Sequence, residues 1–207
     1  SLAVNRITQN DVPNGLSIAY IPMVNDGKGS FEQVLHHEAI GHGLGKLDDE
    51  YGSEDIYRPN GSILDDSSKD NKDRTPLDIL KVFQGYFALL NVSLESDVMK
   101  TPWKVFYEDD LYAYEKLGAY EGASAHPYDI YRPTDNSLMR SGEELNVVGR
   151  NLIYKRVMNV VNNYNWKYDY DKFVKFDEPA RTATRSVRPV ASPWQAKRHA
   201  GPRLILK

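Results

Sequence analysis

Cysteine is missing from the chain altogether. Its absence excludes a disulfide scaffold, a thiolate metal site and a cysteine nucleophile, so any bound metal must be held by nitrogen and oxygen. Long apolar runs are missing too: nothing approaches the run of about 18 apolar residues that marks a membrane-spanning helix, and mean hydropathy is -0.58. The first residues, Ser1-Leu2-Ala3, lack the basic-then-apolar pattern of a secretory leader, which leaves open whether one was removed. Acidic side chains are missing from one stretch only. Between Arg181 and Lys207 there are seven Lys or Arg residues and no Asp or Glu, whereas residues 1–180 carry 29 acidic and 19 basic side chains. A basic tail can bind nucleic acid or an acidic surface. Pro189, Pro193 and Pro202 are dispersed through this one, which favours an irregular arm packed on an acidic body, with no nucleic-acid partner.

What is present is the composition of a folded protein. Hydrophobic residues make up 41% of the 207 positions, aromatics 11% and charged residues 27%. These values exclude general disorder and suit one domain, over residues 1–180, with the basic arm at 181–207. Residues 15–25 read as one β-strand, and Pro22 near its end argues for a sheet edge because proline cannot donate to the ladder. A helix is expected from Phe31 to Leu44, with Ser30 as N-cap and Gln33 completing a capping box. Residues 52–75 are rich in Ser, Asp, Asn, Lys and Gly, and a loop of that length is usually a binding loop, a lid or a disordered insert, here read as exposed. A second amphipathic helix is expected over Pro76–Leu90, with Leu77, Ile79, Leu80, Val82 and Phe83 on its apolar face. A tyrosine-rich stretch at 103–131 follows, then a turn-rich segment, and a last long helix at about Val147–Asn163.

The segment His36-His37-Glu38-Ala39-Ile40-Gly41-His42-Gly43-Leu44-Gly45-Lys46-Leu47-Asp48-Asp49-Glu50-Tyr51 holds three of the chain's five histidines and a run of acids. A zinc helix of the H-E-x-x-H type puts two histidines one turn apart on one face, with the glutamate as general base. Here one residue is added, giving H-E-x-x-x-H. At about 100° per residue, a five-residue step would leave the two rings about 140° apart on an ideal α-helix. The helix must therefore widen. A π-bulge absorbs the extra residue, and Gly41 lowers its backbone cost. His37 and His42 are then the metal ligands and Glu38 the base.

Gly43 and Gly45 allow the chain to turn back toward the ion, where Asp48, Asp49 and Glu50 are candidates for the third ligand, with Asp49 favoured and Asp48 next. Read as a core helix with a solvated acidic end, the same stretch would bury two imidazoles and an acid without a compensating cation. His36 points elsewhere and reads as a packing residue, while His126 and His199 read as surface residues. Asn91-Val92-Ser93 fits an N-glycosylation sequon.

The histidine motif with its trailing Gly-Leu-Gly-Lys-Leu-Asp-Asp-Glu-Tyr resembles the zinc metallopeptidases of the IgA-peptidase family. Tyr120-Glu121-Gly122-Ala123 and the run from Tyr131-Arg132-Pro133 to Ser137-Leu138-Met139-Arg140 resemble that family's second signature. The likeness spans about residues 15–180 and departs by the one extra residue between the histidines. It implies an α+β, zincin-like catalytic domain with a small twisted mixed sheet, an active-site helix and a C-terminal helical half. It further implies that Met139 floors the metal site, that Tyr131 hydrogen-bonds the developing oxyanion, and that Met139 and Arg140 support the substrate or the structure around it. The same H-E-x-x-x-H string is similar to that of dipeptidyl-peptidase III, where a distant glutamate is the third ligand, which makes Glu121, Glu143 and Glu144 reserve candidates.

The expected activity is peptide-bond hydrolysis by a water activated on one zinc ion, with Glu38 as general base and a protein or peptide as substrate. A secreted, surface or periplasmic bacterial endopeptidase is what the resemblance implies. The alternatives are a dipeptidase-type exopeptidase, with Arg132 or Arg140 clamping a free terminus, and a non-catalytic module stabilised by zinc.

Overall fold

A computed structural model describes residues 4–7, 17–21, 31–52, 76–85 and 88–186. Strands β1 (Val4–Ile7) and β2 (Ser17–Tyr20) precede α1 (Phe31–Leu35), which runs directly into a π-helix at His36–Leu44. Helix α2 (Pro76–Gly85), short α3 (Lys104–Tyr107), strands β3 (Tyr120–Ala123) and β4 (His126–Arg132), and helices α4 (Val147–Val161) and α5 (Tyr170–Ser186) complete the order, with 3₁₀ turns at Val98–Lys100 and Asp110–Glu115. The chain is α+β. Its described strands form two separate antiparallel pairs, β1 with β2 and β3 with β4, where the sequence suggested one mixed sheet. The β1–β2 pair lies against the π-helix.

The strand expected at 15–25 is described only at Ser17–Tyr20. Pro22, the Ser30 cap, loop residues 53–75 and His199 lie outside the described residues. Helix α2 ends at Gly85, five residues short of the expected Leu90. Leu80 on it is buried and packs with Val92, Ala123 and Ile130.

The larger core is aromatic. Trp103, Phe106, Tyr112, Leu117, Val147, Val148, Tyr154 and Phe173 form one buried cluster joining the 3₁₀ turns to α4 and α5. Trp103 satisfies its indole N–H on Gly118 O at 2.8 Å, as a fully buried tryptophan must. Helix α4 begins where Asn146 Oδ1 accepts from Gly149 N at 2.9 Å, a side-chain N-cap. Val147, Asn151 and Tyr154 then recur at helical spacing on its buried face.

Strands β1, β3 and β4 and helix α5 are elements that the sequence reading missed, and α5 is the longest of them. Its surface is largely charged and Pro179 sits inside it, where proline removes the bond to the carbonyl four residues back. Tertiary contacts outweigh that loss: Phe173 is fully buried, and Asp177 receives Arg150 Nε at 2.7 Å while Arg150 Nη2 reaches Glu115 at 2.8 Å. The basic arm placed at 181–207 therefore starts within a helix that runs to Ser186; residues beyond 186 lie outside the described residues.

Candidate metal centre

The widening required by the five-residue histidine step is present and extends further than a single bulge. All nine residues His36–Leu44 are π-helical, and Gly45 N donates to Ile40 O, five residues back, at 2.8 Å. In this geometry residues five apart stack over one another, so His37 and His42 share a face. Their rings meet edge to face at 4.8 Å between centroids. Gly41 admits a close neighbour: a Cβ there would lie 2.3 Å from Met139 Sδ. Met139 is fully buried and fills that space against the histidine helix.

The turn out of the helix does not use its glycines as anticipated. Neither Gly43 nor Gly45 has a positive φ, and the left-handed residue is Lys46 at φ 52°. Gly45 is needed for room instead, since a Cβ would come within 2.9 Å of Ile153 Cγ1 on α4. The extended segment that follows is pinned by the β3–β4 turn, where Ser124 N donates to Asp49 O at 2.8 Å and Ala125 N to Tyr51 O at 3.0 Å. Ser124 and Ala125 both have positive φ, a strained choice for residues with a Cβ. Their bonds to the Asp49 segment hold the turn in that shape.

Three ligand atoms converge as a result. His37 Nε2 lies 3.1 Å from His42 Nε2, His37 Nε2 lies 3.1 Å from Asp49 Oδ1, and His42 Nε2 lies 3.2 Å from the same oxygen. His37 Nδ1 is 2.9 Å from Leu138 O and His42 Nδ1 is 2.8 Å from Leu47 O. A carbonyl only accepts, so each Nδ1 carries the proton and each neutral ring turns a lone pair inward from Nε2. Two lone pairs and a carboxylate oxygen facing one another at this range call for a positive charge between them. Ligands at about 2.0–2.2 Å from one tetrahedral zinc would be about 3.3–3.6 Å apart, close to the triangle observed. His37, His42 and Asp49 can hold a metal ion.

Without a metal, a proton supplies the charge. Burial opposes protonation of His42, but Asp49 and then Glu38 overcome it and push its pKa up to about 9. Burial also acts to raise Asp49, and His42 and His37 together hold it well below the usual carboxylate range. Glu38 is 3% exposed; burial raises its pKa, partly offset by His42 and His37. That places a carboxylate within electrostatic reach of all three ligands, poised nearer neutrality than a solvated glutamate, as general bases are.

The other acids have different work. Asp48 Oδ1 accepts from Asp49 N at 2.9 Å, and burial, reinforced by Asp49, raises its pKa to about 6. Glu50 is 1% exposed and faces away from the ion site, toward Asn91, Ser137 and Asn146. Glu121 is exposed and accepts from Asp129 N at 3.1 Å. Among the described residues, the group able to hold a metal includes none of Asp48, Glu50, Glu121, Glu143 and Glu144.

Tyr131 lies in β4, its backbone exchanging 2.8 Å hydrogen bonds with Ser93. The tyrosine whose hydroxyl meets the ligand set is Tyr51, which donates to the Asp49 carboxylate; burial first, then Asp49 and Glu38, drives its pKa far above the usual tyrosine range. The sequence signal for it was its place directly after Asp49-Glu50. Arg140 is engaged with the Asp135 carboxylate at 3.2 Å. Arg132 is 6% exposed and donates to Gly122 O at 2.7 Å. His36 is exposed, contrary to its reading as a packing residue, and His126 is buried at 7% exposure, with Nδ1 2.7 Å from Ser124 O, contrary to its surface reading. Asn91 is fully buried, so its sequon is inaccessible in the folded protein.

A scan against protein-family models matches none, and a search of curated proteins returns no relative. The metal-ligand geometry therefore carries the functional reading. No helix among the described residues is long and apolar enough to cross a membrane.

Proposed function

We propose that the chain is a zinc-dependent peptidase of the zincin type that cleaves within protein or peptide chains. The observation that carries this reading is the inward-facing triangle of His37 Nε2, His42 Nε2 and Asp49 Oδ1, with buried Glu38 beside it. Two nitrogens and one carboxylate oxygen match the donor set of catalytic zinc sites that keep a fourth position open. Zinc, when bound, supplies Lewis acidity that brings a water's pKa to about 7 and polarises an amide carbonyl.

The chain's own residues supply the rest. His37 and His42 hold their Nδ1 protons on the Leu138 and Leu47 carbonyls, which leaves both Nε2 lone pairs free to hold the ion when it is bound. Glu38 takes the proton from the attacking water and passes it to the departing amine nitrogen as the C–N bond breaks. Tyr51, held on Asp49, fixes the orientation of the third ligand. In this reading Met139 packs as the floor, and Tyr131 is a candidate for stabilising the oxyanion. Endopeptidase action is favoured over the dipeptidase alternative because Arg132 is buried against backbone carbonyls and Arg140 is paired with Asp135, leaving neither arginine as a ready clamp for a free terminus. The secreted or surface bacterial setting rests on the sequence resemblance alone.

The test is casein cleavage by the purified chain. A zinc-loaded preparation is expected to cleave; exhaustive chelation removes the activity and one equivalent of zinc restores it. Activity unchanged after the metal is removed would refute the proposal.

A further inference from the structure

The carbonyls that aim both imidazoles are held in place by one buried carboxylate that has no contact with the ligand triangle. Glu50 Oε2 accepts from Ser137 Oγ at 2.7 Å and from Asn146 Nδ2 at 3.0 Å, and its backbone N donates to Met139 O at 2.8 Å. Ser137 Oγ also accepts from Met139 N at 3.1 Å. These bonds close the turn Ser137-Leu138-Met139 on both sides of Leu138, whose carbonyl accepts the Nδ1 proton of His37. The other oxygen works on the other histidine. Glu50 Oε1 accepts from Asn91 Nδ2 at 3.0 Å. The same Asn91 brackets Asp48, donating to its O at 2.9 Å and accepting from its N at 2.7 Å. That fixes the peptide following Leu47, whose carbonyl accepts the Nδ1 proton of His42.

We propose that Glu50 is the positioning residue of the metal centre: it locks the Leu138 and Leu47 carbonyls and through them sets the rotation and tautomer of both histidine ligands. Polar groups one step behind metal ligands do this in general, and their loss typically weakens metal binding about 10–100-fold. The donors around Glu50 demand an acceptor-only group. A glutamine there would turn its NH₂ either toward Asn91 Nδ2 or toward Asn146 Nδ2, donor against donor, and Asn91 cannot flip without losing both bonds to Asp48. Asn146 is doubly committed, since its Oδ1 caps α4 while its Nδ2 serves Glu50. The network thus ties the histidine helix, the Asp49 segment, the Met139 turn and α4 together. This inference rests on the reading of His37, His42 and Asp49 as a metal site.

The experiment is zinc affinity by competition with a chromophoric chelator, with the visible spectrum of the Co²⁺ form and circular dichroism of the metal-free form. The parent is expected to bind one zinc. Glu50→Gln is expected to retain the fold at the assay temperature, to bind zinc about 10–100-fold more weakly, and to show an altered Co²⁺ spectrum. Ser137→Ala, which cuts only the Leu138 arm, is expected to lose affinity in the same direction, and to lose none further in a His37→Ala background. If Glu50→Gln does not fold, Ser137→Ala and Asn91→Ala carry the test. Variants that melt earlier but bind zinc as tightly as the parent, with the parent's Co²⁺ spectrum, overturn the positioning role alone. A parent that binds no zinc overturns the metal site, and this inference with it.

Discussion

Replacing Glu38 with glutamine is expected to leave zinc uptake intact and to lower peptide hydrolysis by about 10²–10⁴-fold, the usual contribution of a positioned general base. The side chain keeps its volume and its buried place on the histidine helix, but the amide cannot take a proton from water or hand one to the leaving amine. Metal content separates this result from a trivial one. A Glu38→Gln variant that binds one zinc and cleaves casein at the parent's rate would show that Glu38 has no part in the chemistry. One that has lost its zinc would show that Glu38 supports the site instead of acting in it. The buried carboxylate's raised pKa and its electrostatic coupling to His42, His37 and Asp49 are the physical reasons for expecting the first outcome.

The second large effect is on metal binding itself. His42→Ala removes one of three protein donors and is expected to weaken zinc binding by about 10²–10³-fold, taking roughly a quarter of the about 10–16 kcal/mol seen for four-ligand structural zinc sites. Affinity in the parent should also depend on pH, and the sign follows from His42. Asp49 and Glu38 hold its imidazole protonated up to about pH 9 in the metal-free protein, and the proton must leave before Nε2 can ligate. Zinc affinity is therefore expected to fall about tenfold per pH unit below about 9, with proton release on binding detectable by calorimetry in buffers of different ionisation enthalpy. In the metal-free protein the same shift runs the other way: the stability contributed by the His42 pair is complete below pH 6.5 and is lost as pH rises through about 9. Zinc binding with no pH dependence between 6 and 9 would remove His42 from the site.

How much of this could be read from the sequence depends on whether a feature was local. The widened helix was legible because the spacing of His37 and His42 conflicts with an α-helix and Gly41 relaxes the backbone; only its length, nine residues of π-helix, exceeded what spacing alone requires. Asp49 was preferred among three adjacent acids, but spacing could not separate it from Asp48 and Glu50. That separation comes from long-range partners. Asn91, Ser137 and Asn146 engage the Glu50 carboxylate outside the His37, His42 and Asp49 group, while Ser124 and Ala125 pin the backbone at Asp49 and Tyr51.

Neither Asn91 nor Asn146 carries a sequence signal of its role, since a buried asparagine reads like any turn residue until its partners are known. Tyr51 was in view but carried no role, and Tyr131 was singled out from the family resemblance alone. Helix α5 was hidden for a different reason: its charged surface and Pro179 obscure a face whose stability depends on the aromatic core and on Arg150, neither adjacent in sequence.

The central claim is that two imidazoles five residues apart and one aspartate converge on a single cation. Anomalous scattering at the zinc absorption edge, from crystals of the zinc-loaded chain, tests it most directly. The expected result is one peak bound by His37 Nε2, His42 Nε2 and an Asp49 oxygen at about 2.0–2.2 Å. Zinc absent from the site, or bound elsewhere with the two rings turned apart, would contradict it.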